Sequence, residues 1–185
     1  ADSTVFGGIA GDVMAEWVAG RALPSVSAAR AEEAAKRLTA PLAVAGTPVY
    51  PLLARLRSLM WERVGLIRDR TGLESALAEI AEIEERVAAV AVPGGPEYNL
   101  AWQDWLNLQS MTTAARLIAR SALERTESRG SHYRRDFPQS DPRWLVNVLV
   151  QAKDGEVSVR TEPVRFKRAR PDSREPQTAA VEIGD

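Results

Sequence analysis

Residues 71–90, TGLESALAEIAEIEERVAAV, decide the fold class of this chain of 185 residues. Large apolar side chains recur along the stretch at spacings of three and four, which is the period of a helix with one buried face. This stripe consists of Leu73, Leu77, Ile80, Ile83, Val87 and Val90. Thr71 and Glu74 have the spacing of a capping box, in which each side chain accepts a hydrogen bond from a backbone amide at the helix start. The stretch therefore predicts an amphipathic helix that begins near Thr71.

The stretches on either side have the same helical period. Thr47 and Pro48 have the pattern of an N-cap followed by proline at the first helical position. The apolar face of the helix they would start consists of Leu53, Leu56, Met60, Val64 and Ile67. Residues 99–127, after a Pro/Gly-rich break, carry a stripe of Ala101, Trp105, Leu108, Met111, Ala115, Ile118 and Ala122. Since none of the three helices can bury its stripe alone, we predict an antiparallel, spectrin-repeat-like three-helix bundle over residues 46–137.

Two more helices are predicted before the bundle, so the fold class is mainly α. Residues 3–19 are apolar at every fourth position, and residues 28–38 are rich in alanine and charge. Gly7, Gly8 and Gly11 each weaken the first helix by about 1 kcal/mol relative to alanine, so we expect another backbone or a ligand to approach it closely. Tight packing against another helix is the favoured interpretation.

The period of the sequence changes after the bundle. Residues 144–150 and 156–161 are rich in β-branched residues, and between them lies Asp154-Gly155, a dipeptide typical of two-residue hairpin turns. We therefore predict a small β-hairpin extension over residues 138–170. Residues 171–185 are polar and contain proline, which predicts a disordered tail.

Composition excludes several kinds of site. The chain has no cysteine, and His132 is its only histidine, so disulfides, thiolate-bound clusters and histidine-based metal sites are excluded. A net charge of -1 does not favour nucleic acid as a partner. No apolar run is long enough to enter a membrane directly. The acidic residues Glu79, Glu82, Glu84 and Glu85 are interpreted as a solvated helix face rather than a metal site.

Three segments resemble one enzyme family. Residues 125–138, RTESRGSHYRRDFP, closely resemble a block shared by succinate dehydrogenase and fumarate reductase flavoproteins and by the related L-aspartate oxidases. In that block alanine is commoner at the position of Ser131. Residues 60–68, MWERVGLIR, are similar to a second family segment. Residues 5–11 are similar to a third, although Gly8 and Ile9 replace its usual arginine pair. The chain thus resembles the C-terminal helical region of such a flavoprotein subunit.

The resemblance implies a function for the intact protein. In this family a Rossmann-like domain holds FAD, and hydride passes between the flavin and succinate or fumarate. The catalytic residues would lie upstream of this chain, so we expect no catalytic, cofactor-binding or metal-binding residue here and no activity of the chain alone. Ala1, Asp2 and Ser3 would border the flavin site, and residues 1–45 would be the end of the flavin-domain region and connecting helices. The expected partners are the missing flavin domain and an iron–sulfur subunit, in the cytoplasm, with membrane association only through partner subunits.

Residues 125–138 also contain a dense group of charged and polar side chains. We predict that these residues dock the missing flavin domain through arginine–carboxylate pairs: Glu127, Arg129, His132, Tyr133, Arg134 and Asp136. At the same time Gly130 is expected to end the last helix in the left-handed conformation. For His132 an interdomain hydrogen bond is favoured over a role as general acid or base.

Two alternatives remain from the sequence. The intact protein could be an L-aspartate oxidase, which as a monomeric enzyme would need no iron–sulfur subunit. The chain could also be a non-enzymatic helical interaction module, although such a module has no need for the block at 125–138.

Overall fold

The computed structural model describes residues 2–43, 45–153 and 156–166. Within these ranges the helices are α1 (Asp2–Val18), α2 (Ala28–Thr39), α3 (Val49–Val64), α4 (Arg70–Ala88) and α5 (Leu100–Glu124). The strands are β1 (Ile67–Arg68), β2 (Tyr133–Arg134), β3 (Val146–Lys153) and β4 (Glu156–Pro163). Short 3₁₀ helices occupy Ala40–Ala43 and Pro142–Trp144.

The core lies between α3, α4 and α5, each of which packs against the other two. Leu59 of α3, Ile80 of α4 and Leu108 of α5 are fully buried there. This packing confirms the predicted helical bundle, because each amphipathic helix covers the apolar stripes of its neighbours. Two residues of the predicted stripes lie outside the core: Ile118 faces solvent, and Ile67 belongs to β1 and is also exposed.

The helix starts differ from those expected. Asp69, in extended conformation, is the N-cap of α4, and its Oδ1 accepts a hydrogen bond from the amide of Gly72 at 2.8 Å. The predicted capping box of Thr71 and Glu74 is therefore wrong. Thr71 already lies inside the first turn, and Glu74 instead pairs with Arg70 at 3.2 Å, one turn away. Aspartate is among the best N-cap residues, which explains why the helix begins two residues earlier.

Thr47 is not the N-cap of α3, since that position is taken by Pro48. The backbone of Thr47 instead bridges to the end of α4: its amide donates to the carbonyl of Ala89 at 3.1 Å, and its carbonyl accepts from Ala91 at 3.0 Å. The start of α5 is as expected, because the side chain of Asn99 accepts from the amide of Trp102 at 3.0 Å.

The acidic face of α4 is only partly solvated. Glu79 pairs with Arg55 and Arg63 of α3, and Glu84 pairs with Arg116 of α5 at 3.5 Å. The expectation of a solvated face is therefore wrong for Glu79 and Glu84, which join α4 to its neighbours. Glu82 and Glu85 are exposed as predicted. Among the described residues no three acidic or histidine side chains are placed to hold a metal ion.

The two helices before the bundle bury almost nothing against it. All the large apolar residues of α1 are more than half exposed: Val5, Phe6, Ile9, Val13, Met14, Trp17 and Val18. No atom lies within 4 Å of a side chain built at Gly7, Gly8 or Gly11. The close helix packing expected at these glycines is therefore not provided by the described part of this chain. None of the described helices is long and apolar enough to cross a membrane.

The predicted hairpin is present. Strands β3 and β4 are antiparallel, in a register from Val146 opposite Pro163 to Lys153 opposite Glu156. Trp144 lies in the 3₁₀ helix before β3 and not in the strand. The turn at Asp154 and Gly155, the predicted tail at 171–185 and Ala1 lie outside the described residues.

Replacing Leu108 by alanine tests the assigned core. This side chain is 0% exposed at the centre of α5, so Leu108→Ala should lower the free energy of unfolding by about 2–5 kcal/mol. Leu100→Ala, at the start of the same helix where the side chain is 70% exposed, is the matched control and should change it little. Denaturant unfolding measures both variants. Equal losses would contradict the bundle geometry.

Candidate functional site

The site is built where two family-like segments meet. Strands β1 and β2 pair in parallel, with Ile67 opposite Tyr133 and Arg68 opposite Arg134. The amide of Tyr133 donates to the carbonyl of Leu66 at 3.1 Å, next to this pair. The pairing brings the segment at 60–68 against the block at 125–138. Two residues are too few to show strand periodicity, so the sequence does not predict this contact.

Arg134 closes the end of α5 from inside the fold. Its side chain is fully buried, and Nη1 donates to the carbonyl oxygens of Ala122, Leu123 and Arg125 at 3.0, 3.1 and 3.0 Å. The last carbonyls of a helix have no partner within the helix, and they carry the negative end of its dipole. A buried guanidinium satisfies both needs, so Arg134 acts as the C-terminal cap of α5.

Gly130 does not end α5 as predicted. It does have the expected positive φ of 56°, but α5 ends at Glu124, and the cap position is occupied by Arg125 in extended conformation. Gly130 instead lies in the tight turn between Arg129 and His132, whose backbones exchange hydrogen bonds of 2.8 and 3.0 Å. The glycine therefore allows the chain to reverse direction and bring Arg134 back to the helix end.

Asp136 connects this cap to the start of α4. It accepts from Nε and Nη2 of Arg134 at 2.8 and 2.6 Å, and its Oδ2 also accepts from the amide of Arg70 at 3.1 Å. One carboxylate thus neutralises the buried guanidinium and satisfies an amide at a helix start. The hydrogen bond from Arg134 is the main cause that lowers the pKa of Asp136 from 3.8 to about 2.

Glu127 is a second, fully buried carboxylate. It accepts from Nη1 of Arg125 at 2.5 Å, from Nε and Nη2 of Arg129 at 2.8 and 3.1 Å, and from the amide of Asp141 at 2.8 Å. Burial raises the pKa of Glu127, but the hydrogen bonds from Arg129, the Asp141 amide and Arg125 outweigh it, so the pKa lies below its ordinary value. The carboxylate stays ionised and holds three segments together.

Arg125 extends the network to the hairpin. It donates to the carbonyl oxygens of Trp144 and Val146 at 3.0 and 2.7 Å, and its guanidinium lies 5.2 Å from the centre of the Trp144 ring. The indole of Trp144 in turn donates to Thr126 at 3.1 Å. The start of β3 is therefore fixed against the end of α5.

The six predicted docking residues divide into two groups. Glu127 and Arg134 were both predicted to dock the flavin domain. Their side chains are instead fully buried inside this chain, so they cannot form part of an exposed docking surface. Their charges are used internally because a helix end and a buried carboxylate both need ionic partners. Arg129, His132, Tyr133 and Asp136 lie at least partly at the surface. Docking by these four residues stays a prediction.

His132 is held by hydrogen bonds within this chain. Its Nδ1 lies 3.1 Å from Nη1 of Arg68, and its Nε2 lies 3.3 Å from the carbonyl oxygen of Arg125. Nε2 therefore carries the proton and donates to the carbonyl, while Nδ1 accepts from the guanidinium. Burial, followed by the charge of Arg68, lowers the pKa of His132, so the ring is neutral near pH 7. Both ring nitrogens have partners within this chain, and an interdomain hydrogen bond of His132 stays a prediction.

Arg68 is the residue that the sequence analysis missed as a site residue. Its Nε is buried without a hydrogen-bond acceptor, and no carboxylate of the described residues lies within ion-pair distance of it. A buried donor left unsatisfied costs about 1–3 kcal/mol. Burial, and then the nearby charge of Arg134, lower the pKa of Arg68. The signal available in the sequence was its position at the end of the family-like segment 60–68.

Arg68 and His132 line an open cleft of about 390 Å³. Arg125, already paired with Glu127, and Ser121 also line it, and the remaining wall is apolar: Leu117, Ile118, Ala122 and Val148. With a cation at one side and apolar side chains at the other, the cleft can bind a carboxylate attached to an apolar body. It offers no residue set for a metal ion.

The described residues do not fit FAD by themselves. A dinucleotide site needs a glycine-rich turn between a strand and a helix, where backbone amides bind the phosphates. Gly7, Gly8 and Gly11 lie inside α1 and not in a turn at a helix start, and the parallel pair of β1 and β2 is not part of such a unit. FAD would therefore have to be held mainly by residues outside the described part of this chain.

Arg134→Ala tests the helix-end cap. It leaves three carbonyls and Asp136 without their cation, and breaking a buried ion pair in this way should cost about 3–5 kcal/mol in the free energy of unfolding. Arg143→Ala removes an exposed ion pair with Asp141 and serves as the control, with little expected effect. Denaturant unfolding is the measurement. A small loss for Arg134→Ala would mean that the cap is dispensable.

Asp136 predicts an acid dependence of stability. Because its pKa is about 2 in the fold against an ordinary 3.8, its contribution is complete above about pH 4 and is lost as the pH falls towards 2. Asp136→Asn should therefore be less stable than the parent at pH 7, and this difference should shrink between pH 4 and 2. Thermal unfolding over this range measures it, with Glu82→Gln, an exposed carboxylate of α4, as control. If the stability difference between Asp136→Asn and the parent did not change with pH, the lowered pKa of Asp136 would be contradicted.

Comparison with known proteins places the chain in one family. Residues 53–176 match the family model described as "Fumarate reductase flavoprotein C-term". A relative in Methanocaldococcus jannaschii, an uncharacterised FAD-dependent oxidoreductase, is 38% identical over 154 residues. A fumarate reductase flavoprotein subunit of Mycobacterium tuberculosis is 32% identical over 181 residues, and an L-aspartate oxidase of Rhodospirillum rubrum is 50% identical over 90 residues.

This chain is shorter than the proteins that it matches. The three matches cover 83%, 92% and 49% of this chain but only 28%, 31% and 27% of the respective relatives. The structure of the Mycobacterium smegmatis Sdh1 complex in the apo form superposes with a TM-score of 0.73 at 34% identity, over 85% of this chain and 28% of that one. The matched range contains the whole Arg134 and Glu127 network, and the chain belongs to the fumarate reductase flavoprotein C-terminal family.

Proposed function

We propose that this chain is the helical C-terminal part of an FAD-dependent flavoprotein that interconverts succinate and fumarate. The observation that carries the proposal is the family match over residues 53–176, which includes the bundle and the block at 125–138. The share of each relative that the chain covers, at most 31% among those compared, agrees with a part of a longer protein.

In this proposal the chain has a structural role and takes no part in the chemical steps. The bundle supplies a rigid support, because Arg134 and Asp136 join the end of α5 to the start of α4. Arg125, paired with Glu127, fixes the start of the hairpin to the same end of α5. A surface held at several points in this way can position a neighbouring domain without reordering on contact.

The proposed division of the chain follows from this role. Residues 1–45 belong to the end of the flavin-domain region and connecting helices, in agreement with the exposed apolar side chains of α1. Residues 46–137 form the bundle, 138–170 the hairpin extension and 171–185 a tail. An iron–sulfur subunit is the proposed partner, in the cytoplasm, with membrane association only through partner subunits. FAD, which supplies hydride transfer when bound, is held by the flavin domain.

An L-aspartate oxidase is the second candidate. It is supported by the identity of 50% over 90 residues with the Rhodospirillum rubrum enzyme, higher than that of the other two relatives, although over a shorter range. The interaction module without an enzymatic context is not supported, because the charged block belongs to the matched family range.

Assays of the full-length protein separate these candidates. We expect the purified protein to contain FAD, to interconvert succinate and fumarate with an artificial electron carrier, and to leave L-aspartate unchanged. The chain of 185 residues alone should bind neither FAD nor succinate, because the described residues form no dinucleotide site. Oxidation of aspartate would favour the second candidate. Flavin retained by the chain alone after gel filtration would contradict the proposal that the flavin domain holds FAD.

A further inference from the structure

Arg68 differs from the other arginines around the site. Arg125 and Arg129 pair with Glu127, and Arg134 pairs with Asp136. Arg68 instead donates to His132, and within the part of the chain that the structure describes it has no carboxylate partner. A neutral imidazole fixes the direction of the guanidinium without cancelling its charge. The half-buried cation at the cleft is therefore left without a counterion, which is a costly arrangement for a charge.

An apolar groove adjoins this cleft. It has a volume of about 450 Å³ and lies between α3 and α5. Its lining is apolar apart from Arg57 and includes Met60, Trp61, Gly65, Met111 and Ile118. Ile118 lines both the groove and the Arg68 cleft, so the two are continuous. Trp61 is 82% exposed, Leu66 63% and Ile118 51%. Exposed apolar surface of this kind, rich in tryptophan and methionine and beside an arginine, is typical of protein contacts.

We propose that this continuous surface, the Arg68 face, docks a segment of the flavoprotein that lies outside this chain, with an aspartate or glutamate side chain paired to Arg68. The Arg68 face is defined by Met60, Trp61, Arg68, Met111, Ile118 and His132. The segment places apolar side chains in the groove and its carboxylate in the cleft. This inference rests on the proposed function, and it centres the docking contact on Arg68, with His132 as the member of the predicted docking set that the face includes.

A protein segment fits this face better than a free anion. A small carboxylate needs only the cation and a few donors, and it would leave Trp61 and Ile118 in water. A segment that carries a carboxylate between apolar side chains covers both parts of the face at once. The length outside this chain provides such segments, because the chain accounts for about 28% of the Methanocaldococcus jannaschii relative. The unpaired cation selects an acidic segment over a basic one by charge complementarity.

Photo-crosslinking in the full-length protein tests the occupant. A photo-reactive phenylalanine analogue is placed at Trp61, and a second preparation carries it at Glu82, an exposed position of α4 that lines neither the groove nor the cleft. We expect Trp61 to crosslink within its own polypeptide, to a peptide outside these 185 residues that contains an acidic residue beside apolar ones. Crosslinks to a peptide within the 185 residues, to another subunit or to a second copy, or a yield no higher than at Glu82, would overturn the proposal.

Charge reversal tests the ion pair itself. Arg68→Glu in the full-length protein should lower the Trp61 crosslink at least about tenfold by like-charge repulsion. Changing the mapped acidic residue to arginine in the same protein should restore it. Arg86→Glu, at an exposed arginine of α4, is the matched control and should leave the crosslink unchanged. A double variant that folds, as judged by circular dichroism, but does not regain the crosslink would overturn the pairing.

The docking inference and the proposed function can fail independently of each other. Flavin content and succinate–fumarate activity are measured on the same unmodified preparation. A protein with flavin and activity whose Trp61 does not reach its own polypeptide contradicts only the docking inference. A protein without flavin contradicts the proposed function, whatever the crosslinks show.

Discussion

The fold depends on one ion pair, between the buried Arg134 and the partly exposed Asp136. Its cation binds the carbonyls that end α5, and its anion binds the first amide of α4. Helix ends carry unsatisfied backbone groups and opposite partial charges, so each needs a partner of the right sign. One ion pair thus binds the C-terminal end of α5 and the N-terminal end of α4, and its arginine is fully shielded from solvent. The orientation of α4 and α5 at this end of the bundle is therefore fixed by charge as well as by apolar packing.

Glu127, the second carboxylate at this end of the bundle, extends the single ion pair to a network. Glu127 receives Arg125 and Arg129, and Arg125 continues to the hairpin through backbone carbonyls. Because Glu127 is fully buried, removing Arg125 or Arg129 takes a cationic partner from a carboxylate that water cannot reach, which costs more than an exposed ion pair. Such a network resists local opening, and this suits a part whose proposed task is to support a neighbour.

Helical period predicted the bundle, and β-branched runs on either side of Asp154-Gly155 predicted the hairpin, since both signals lie within single segments. Helix starts were predicted less well, because Asp69 competes with Thr71 for the cap and the amide of Arg70 is bound by Asp136, 66 residues away. The same limit explains Glu127 and Arg134. Their block was recognised, but charged residues are seldom fully buried, and only a contact with the end of α5 that no local pattern encodes makes burial favourable.

The distribution of charge at the site suggests how rigidity and docking are combined. Arg125 and Arg129 pair with Glu127, and Arg134 pairs with Asp136, within this chain. These arginines are therefore already neutralised before a neighbouring domain binds. His132 holds Arg68 in place while being neutral, because burial and the adjacent cation oppose its protonation. A cation fixed in direction but not neutralised loses little conformational entropy when a carboxylate binds it. At this site the fold thus separates the arginines that hold the chain together, Arg125, Arg129 and Arg134, from Arg68, which remains available for recognition.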